Sequence, residues 1–242
     1  MISFGIIIPA RMASTRLPGK PLLDIAGQSL IERVYKNAVK AIAADFVVVA
    51  TDTPEIEKHV NSFGKAVLTA AHHPTGTDRI NEAMQKLAVK VDVIVNVQGD
   101  EPFLDMELVT QLVNCFQNKD CDIATAYYNI GKVQAEDPNT VKLVKTISGR
   151  ALYFSRSKIP FERHTFNEYH AHIGLYAYRS EVLSKLCALS PSTLEETESL
   201  EQLRWLENGY QIYCIDAKEP SLGIDTPEDL EKAMAIVTNK LD

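Results

Sequence analysis

The sequence predicts an α/β fold: a mixed, mostly parallel sheet flanked by helices, with an antiparallel insertion. Three observations carry that prediction. Short apolar runs alternate with helical patterns through the first hundred residues, the signature of a parallel sheet covered by helices. The run Val91–Val97 is mostly apolar, as suits a strand buried on both faces. The turn signal Ser148-Gly149 separates two strand-like segments, and strands joined so tightly must pair antiparallel.

Phe4–Ile8 reads as the first strand. After a loop bearing glycine and proline, Ser29-Leu30-Ile31-Glu32 has the form of a capping box and opens a helix to about Ala41. Phe46–Thr51 is a second strand, and Thr53-Pro54 places an N-cap before a proline at the first helical position. Lys65–Thr69 is a third strand. Thr77 can cap a helix whose apolar face is Ile80, Ala83, Met84 and Leu87, ahead of the strand Val91–Val97. In the second half Asp122–Asn129, Thr140–Ile147, Ala151–Ser155 and His172–Arg179 read as strands. A helix from about Leu194 to Glu207 ends near Gly209, Tyr210–Ile215 is a strand, and Thr226-Pro227-Glu228-Asp229 opens the last helix. With no repeat and no low-complexity linker, the reading is a single domain over 1–242 with an antiparallel insertion at roughly 126–180.

Composition excludes several classes. With 45% hydrophobic and 24% charged residues this is an ordinary globular chain. A formal net charge of −7 argues against general nucleic-acid binding. No apolar run reaches the ~20 residues of a membrane span, and the start MISFGIIIPARM lacks the basic region of a signal peptide. The cysteines Cys115, Cys121, Cys187 and Cys214 show no CxxC pairing and read as buried free thiols of a cytoplasmic protein.

The segment Pro9–Leu22, PARMASTRLPGKPL, follows the first strand, where open α/β sheets present ligands. Arg11, Arg16 and Lys20 fall within it, and Pro18 and Gly19 shape its backbone. Phosphates need such exposed N–H donors and fixed cations, though a basic surface loop would have the same composition. Neither GxxxxGK[ST] nor GxGxxG occurs, which counts against a P-loop and against a nicotinamide dehydrogenase. Asp100 follows an apolar strand, and Asp225 precedes the Thr226 helix cap at the end of another expected strand. Two carboxylates with substrate phosphates and waters are the usual way to hold Mg²⁺. Each alone would also serve as a cap or turn residue.

PARxxSTRLPGKPL, TGTDR at Thr75–Arg79, NVQGDEP at Asn96–Pro102, LYFSR at Leu152–Arg156, HIGLYAYR at His172–Arg179, LEQLR at Leu200–Arg204 and GIDTPEDLE at Gly223–Glu231 occur in order along nearly the whole chain. The ordered set resembles the Kdo (3-deoxy-manno-octulosonate) cytidylyltransferase family. That resemblance implies a nucleotide-diphospho-sugar transferase, Rossmann-like fold, a homodimer, CTP and Mg²⁺, and a product, CMP-Kdo, used in lipopolysaccharide biosynthesis. It implies that Asp100 and Asp225 ligate the metal, that Thr75, Gly76, Thr77 and Arg79 line the nucleotide site with Arg11, Arg16 and Lys20, and that Gln98 contacts the sugar acid.

For the sugar acid, Arg156 and Arg163 offer guanidinium groups suited to a carboxylate. Glu201 and Gln202 can bond hydroxyls, and His172 and Tyr176 lie four apart on an expected strand, hence on one face. His170 and His172 form an HxH pair with no evident third metal ligand. The family implies in-line attack of the sugar's anomeric hydroxyl on the α-phosphorus of CTP. Other readings are a sister enzyme acting on an amino-Kdo, sialic or pseudaminic acid, and a non-catalytic nucleotide sensor, which the intact carboxylate pair opposes.

Overall fold

The structure, a computed structural model, describes residues 2–13, 16–41, 43–166 and 168–239. Ser14 and Thr15 of the first-loop motif lie outside the described residues. The chain divides into two compact units, Ser3–Thr110 with the segment from Ser221 on, and Gln111–Pro220.

In the first unit, β1 (Phe4–Ala10), β2 (Phe46–Thr51), β3 (Ala66–Leu68) and β4 (Val93–Asn96) alternate with helices α1 (Leu30–Ala38), α2 (Pro54–Val60) and α3 (Gly76–Leu87). The strands are parallel in the order β3-β2-β1-β4, with Ile7 paired to Val48 on one side and Asn96 on the other. Ile6, Ile7, Ile8, Val49, Val93, Ile94 and Val95 are fully buried, which is why these strands read as unbroken apolar runs. The chain order reverses at β1, so the loops after β1 and β4 open into the crevice where such sheets take ligands.

The local signals act as anticipated at Ser29, whose hydroxyl accepts from Glu32 N. Thr226 caps the closing helix α8 (Pro227–Thr238, numbered after α4–α7 below) in a full capping box with Asp229. Two expectations are corrected. The cap of α3 is Thr75, whose hydroxyl accepts from Asp78 N, whereas Thr77 sits buried in the first turn. Residues 217–226 form no strand, so Asp225 leads out of an irregular segment instead of a strand end.

In the second unit, β5 (Ile123–Ile130), β6 (Lys142–Lys145), β7 (Ala151–Ser155), β8 (Tyr169–Arg179) and β9 (Ile212–Asp216) join helices α5 (Ser180–Cys187), α6 (Thr193–Glu198) and α7 (Glu201–Glu207). β5 pairs parallel with β9 and antiparallel with β8, and β6 pairs antiparallel with β8 and β7. The turn at Ser148-Gly149 joins β6 and β7 with Gly149 at φ 87°, a left-handed conformation that favours glycine. The expected helix Leu194–Glu207 is broken: Ser199 adopts φ 53° and separates α6 from α7. That break leaves the Glu198 and Ser199 carbonyls free of helical partners, and Arg156 donates to both. Helix α4 (Met106–Asn114) and α5 were not anticipated.

Candidate active site

The site is built where the β1 and β4 loops meet. A Cβ at Gly99 would stand 2.6 Å from the Pro9 carbonyl oxygen, so only glycine lets the two loops approach this closely. Gly19, at φ 69°, turns the first loop into a short 3₁₀ turn, Lys20–Leu22. From that turn the Lys20 ammonium reaches Asp100 Oδ2 at 2.7 Å and Asp225 Oδ1 at 3.0 Å. Arg16 approaches Asp225 Oδ2 at 3.2 Å. The Ile224 N–H donates to the Asp100 carbonyl at 2.9 Å, which brings the late segment alongside the β4 loop. Residues 80 and 205 positions away from Lys20 thus converge on one ammonium.

The electrostatics follow from this arrangement. Burial works against the charge of Lys20, but Asp100 and then Asp225 outweigh it, and the ammonium is held above its ordinary pKa. The lysine is the internal counter-ion of a carboxylate pair. Glu101 behaves differently. Burial, and then the neighbouring Asp100 carboxylate, push it up to about 7, and its buried Oε2 lacks a hydrogen-bond partner. Buried and unpaired, it stays outside the ligand set.

An open cavity of about 400 Å³ lies over these groups. Its lining brings together the residues expected at the nucleotide site except Thr77, namely Arg11, Arg16, Lys20, Thr75, Gly76 and Arg79, with the expected metal ligands Asp100 and Asp225 and with Gln98, expected at the sugar acid. Arg11 and Arg16 are exposed at its mouth. Thr77 is not part of the lining. The N-terminus of α3 opens on the cavity through Thr75 and Gly76, where the helix dipole favours an anion or a polar base edge.

Two pairings in this wall escaped sequence reasoning. Arg79 is buried; it donates to Asp52 Oδ2 at 2.7 Å and Thr69 Oγ1 at 2.7 Å, which ties α3 to the ends of β2 and β3. His73 lines the cavity and bonds Glu82, which also accepts from Ala70 N at 2.9 Å and pairs with Lys86. Burial alone would raise Glu82, but the bonds from Lys86, His73 and Ala70 outweigh it and lower the carboxyl to about 2. The adjacency of His73 to the TGTDR motif was the available signal.

Among the described residues, no group of three or more His, Cys, Asp and Glu is placed to hold a metal ion. Asp100 and Asp225 remain a pair of hard oxygen donors sharing one cation. That set fits Mg²⁺, which takes one or two carboxylates and completes its shell with phosphate and water oxygens. None of the four cysteines forms a disulfide; Cys121 and Cys214 are buried as expected, whereas Cys115 and Cys187, also expected to be buried, are partly exposed because they sit near helix ends.

The second unit holds the remaining expected residues. His172 and Tyr176 do meet, with ring centroids 5.3 Å apart. They do so across a register shift between Ile173 and Tyr176 and not through plain strand alternation. Tyr176 packs edge-on against Trp205, on the helix that carries Glu201 and Gln202. Glu201 pairs with Arg204, and the buried Gln202 Nε2 has no hydrogen-bond partner. Arg163 is exposed. Arg156 is braced: its guanidinium donates to the carbonyls of Glu198, Pro138 and Ser199 at 2.7, 3.2 and 3.4 Å.

Comparison with known proteins bears on this geometry. A family model described as Cytidylyltransferase matches residues 5–237. A 3-deoxy-manno-octulosonate cytidylyltransferase of Parabacteroides distasonis is 46% identical, with 99% of this chain and 100% of that relative covered. The one of Bacteroides thetaiotaomicron is 45% identical over 97% of this chain and 98% of its own length. A solved structure of CMP:2-keto-3-deoxy-manno-octonic acid synthetase complexed with CTP matches at a TM-score of 0.94 and 41% identity, covering 98% of this chain and 99% of that one.

Proposed function

Because the chain belongs to the 3-deoxy-manno-octulosonate (Kdo) cytidylyltransferase family, we propose that it transfers CMP from CTP to the anomeric hydroxyl of Kdo and releases pyrophosphate. The observation that carries this reading for the residues themselves is Lys20 lying between Asp100 and Asp225, beneath a cavity lined by Arg11, Arg16 and the N-terminus of α3.

In this reading Arg11, Arg16 and Lys20 bind the triphosphate, and Thr75 and Gly76 line the base, backed by the buried Arg79. The anomeric hydroxyl displaces pyrophosphate in line at the α-phosphorus, so no covalent enzyme intermediate forms. The cations offset the negative charge that grows on the leaving phosphates, which is where preorganised charge lowers a barrier most. Asp100 and Asp225 would hold Mg²⁺, which when bound supplies Lewis-acid neutralisation of phosphate oxygens. With the carboxylates engaged by the ion, the Lys20 ammonium would serve the phosphates. In the second unit His172, Tyr176, Glu201 and Gln202 would bond the hydroxyls of the sugar acid; the unpartnered amide of Gln202 supports this. With the Arg156 guanidinium committed to backbone carbonyls, the exposed Arg163 is the better candidate for the sugar carboxylate.

We further propose a cytoplasmic homodimer. Support comes from the second unit, where Phe161 and Val133 are 88% and 86% exposed. No described helix is long and apolar enough to cross a membrane. The deciding assay is pyrophosphate release from CTP with Mg²⁺ against Kdo, 8-amino-Kdo, sialic acid and pseudaminic acid. Turnover of Kdo well above the others is expected; preference for another acid, or no release with any, would overturn the assignment. Sedimentation of the purified chain as a monomer would overturn the dimer.

A further inference from the structure

A hydroxyl deep in the second unit has more partners than protons. Thr125, fully buried on β5, lies 3.0 Å from His172 Nε2, 2.8 Å from the Leu175 carbonyl and 3.2 Å from the Ile173 carbonyl. It sits where the β5–β8 pairing slips, opposite the stretch between Ile173 and Tyr176. Tyr176 lies opposite Thr125 in that pairing; its phenol is kept protonated chiefly by burial, and its hydroxyl has no hydrogen-bond partner among the described residues. Carbonyl oxygens only accept, and a threonine hydroxyl carries one proton. Were that proton given to the histidine, both carbonyl oxygens, at 2.8 and 3.2 Å, would face an oxygen lone pair, an unfavourable approach of acceptor to acceptor. The proton therefore goes to a carbonyl, the nearer being that of Leu175, and His172 Nε2 must be the donor to Thr125.

The ring is also kept neutral. Burial pushes His172 down to about 3, and its other packed neighbours are the rings of Phe154 and Tyr176 at 5.1 and 5.3 Å. A neutral imidazole with its proton on Nε2 has a lone pair on Nδ1.

We propose that Thr125 is a positioning residue: it fixes His172 as the Nε2–H tautomer, so that Nδ1 is presented as an acceptor for a hydroxyl of the sugar acid. This rests on the function proposed above, in which the second unit binds that acid. The register slip of β8 thereby acquires a role, because it delivers two carbonyls that orient the Thr125 hydroxyl.

The test has a spectroscopic and a kinetic arm, both on the full chain. In ¹⁵N-histidine-labelled protein without substrate, the His172 signals, assigned by their loss in His172→Gln, should show hydrogen on Nε2 and none on Nδ1. In kinetics, Thr125→Val should raise KM for Kdo roughly tenfold, with KM for CTP within about twofold, the scale of losing one preorganised hydrogen bond. Thr125→Ser, which keeps the hydroxyl, should retain near-native KM values. Protonated Nδ1 in the native chain overturns the proposal, as does an unchanged KM for Kdo in Thr125→Val or a Thr125→Ser enzyme as impaired as the valine variant. If Thr125→Val does not fold, the native spectrum and Thr125→Ser decide alone. A native chain with the stated tautomer but no turnover of Kdo overturns the function and leaves the tautomer standing.

Discussion

Replacing Lys20 by methionine tests the centre of the site while keeping most of the apolar stem. The ammonium is 15% exposed and meets Asp100, 28% exposed, at 2.7 Å and Asp225, 49% exposed, at 3.0 Å. The Asp225 contact is half in solvent and contributes little to stability. The Asp100 contact is better shielded, and its loss leaves a carboxylate without its nearest cation, which costs about 1–3 kcal/mol. The melting temperature should therefore fall modestly. Turnover should fall further, because a preorganised donor aimed at developing phosphate charge lowers a barrier by roughly 2–4 kcal/mol, or about 30- to 900-fold in kcat. Saturating pyrophosphate-release assays measure that loss. A third quantity should move the opposite way. Lysine and a divalent cation compete for the same two carboxylates, so Mn²⁺ binding in the absence of CTP, followed by electron paramagnetic resonance, should tighten in Lys20→Met. A variant within about threefold of native kcat, a change far below one oxyanion-type donor, with unaltered Mn²⁺ affinity, would refute the assignment of this loop.

Further outcomes follow from other contacts. Asp100→Asn and Asp225→Asn should each lose at least ~100-fold of turnover with little loss of circular dichroism signal, because each strips charge from the proposed Mg²⁺ site. Arg156→Ala should cost about 2 kcal/mol in a denaturant melt, since a charged donor to three carbonyls disappears. Arg163→Ala, exposed, should change stability by less than about 0.5 kcal/mol while raising KM for the sugar acid more than for CTP. Glu82 has a folded pKa of about 2 against an ordinary 4.5, so its ionised form stabilises the fold. That contribution is complete above the unfolded value and disappears as pH falls through the folded one. The stability gap between native chain and Glu82→Gln should be widest at neutral pH and close between about pH 4.5 and 2; a gap that is constant from pH 7 to 2 would contradict the linkage.

The first unit was legible because its signals are local. Buried strands announce themselves as apolar runs such as Phe46–Thr51, and caps at Ser29 and Thr226 mark helix starts. The carboxylates and cations of the site stand in loops adjoining those signals. What escaped were pairings between distant residues and local backbone deviations. Arg79 and Asp52 are 27 positions apart, and nothing in either neighbourhood names the other. In TLEETESLEQL the helical pattern continues unbroken through Ser199, although the chain turns left-handed there. Without that break Arg156 reads as a free guanidinium; with it, the guanidinium has the carbonyls of Glu198 and Ser199 as partners. The contact of His172 with Tyr176 was anticipated for the wrong reason, as even alternation, where a register slip makes it.

The first unit is discontinuous in sequence: Asp100 belongs to its early segment, Asp225 to its late one, and the whole of Gln111–Pro220 is translated between them. A ribosome adding ~5–20 residues per second needs roughly 5–20 s to cover that stretch. Throughout that interval a nascent chain can already carry Arg11, Lys20 and Asp100 while lacking the second carboxylate. Lys20 then has one acidic partner instead of two. If the loop binds a nucleoside triphosphate and the two carboxylates hold its cation, as proposed, the partly made chain already has the cationic loop but not yet the complete cation site.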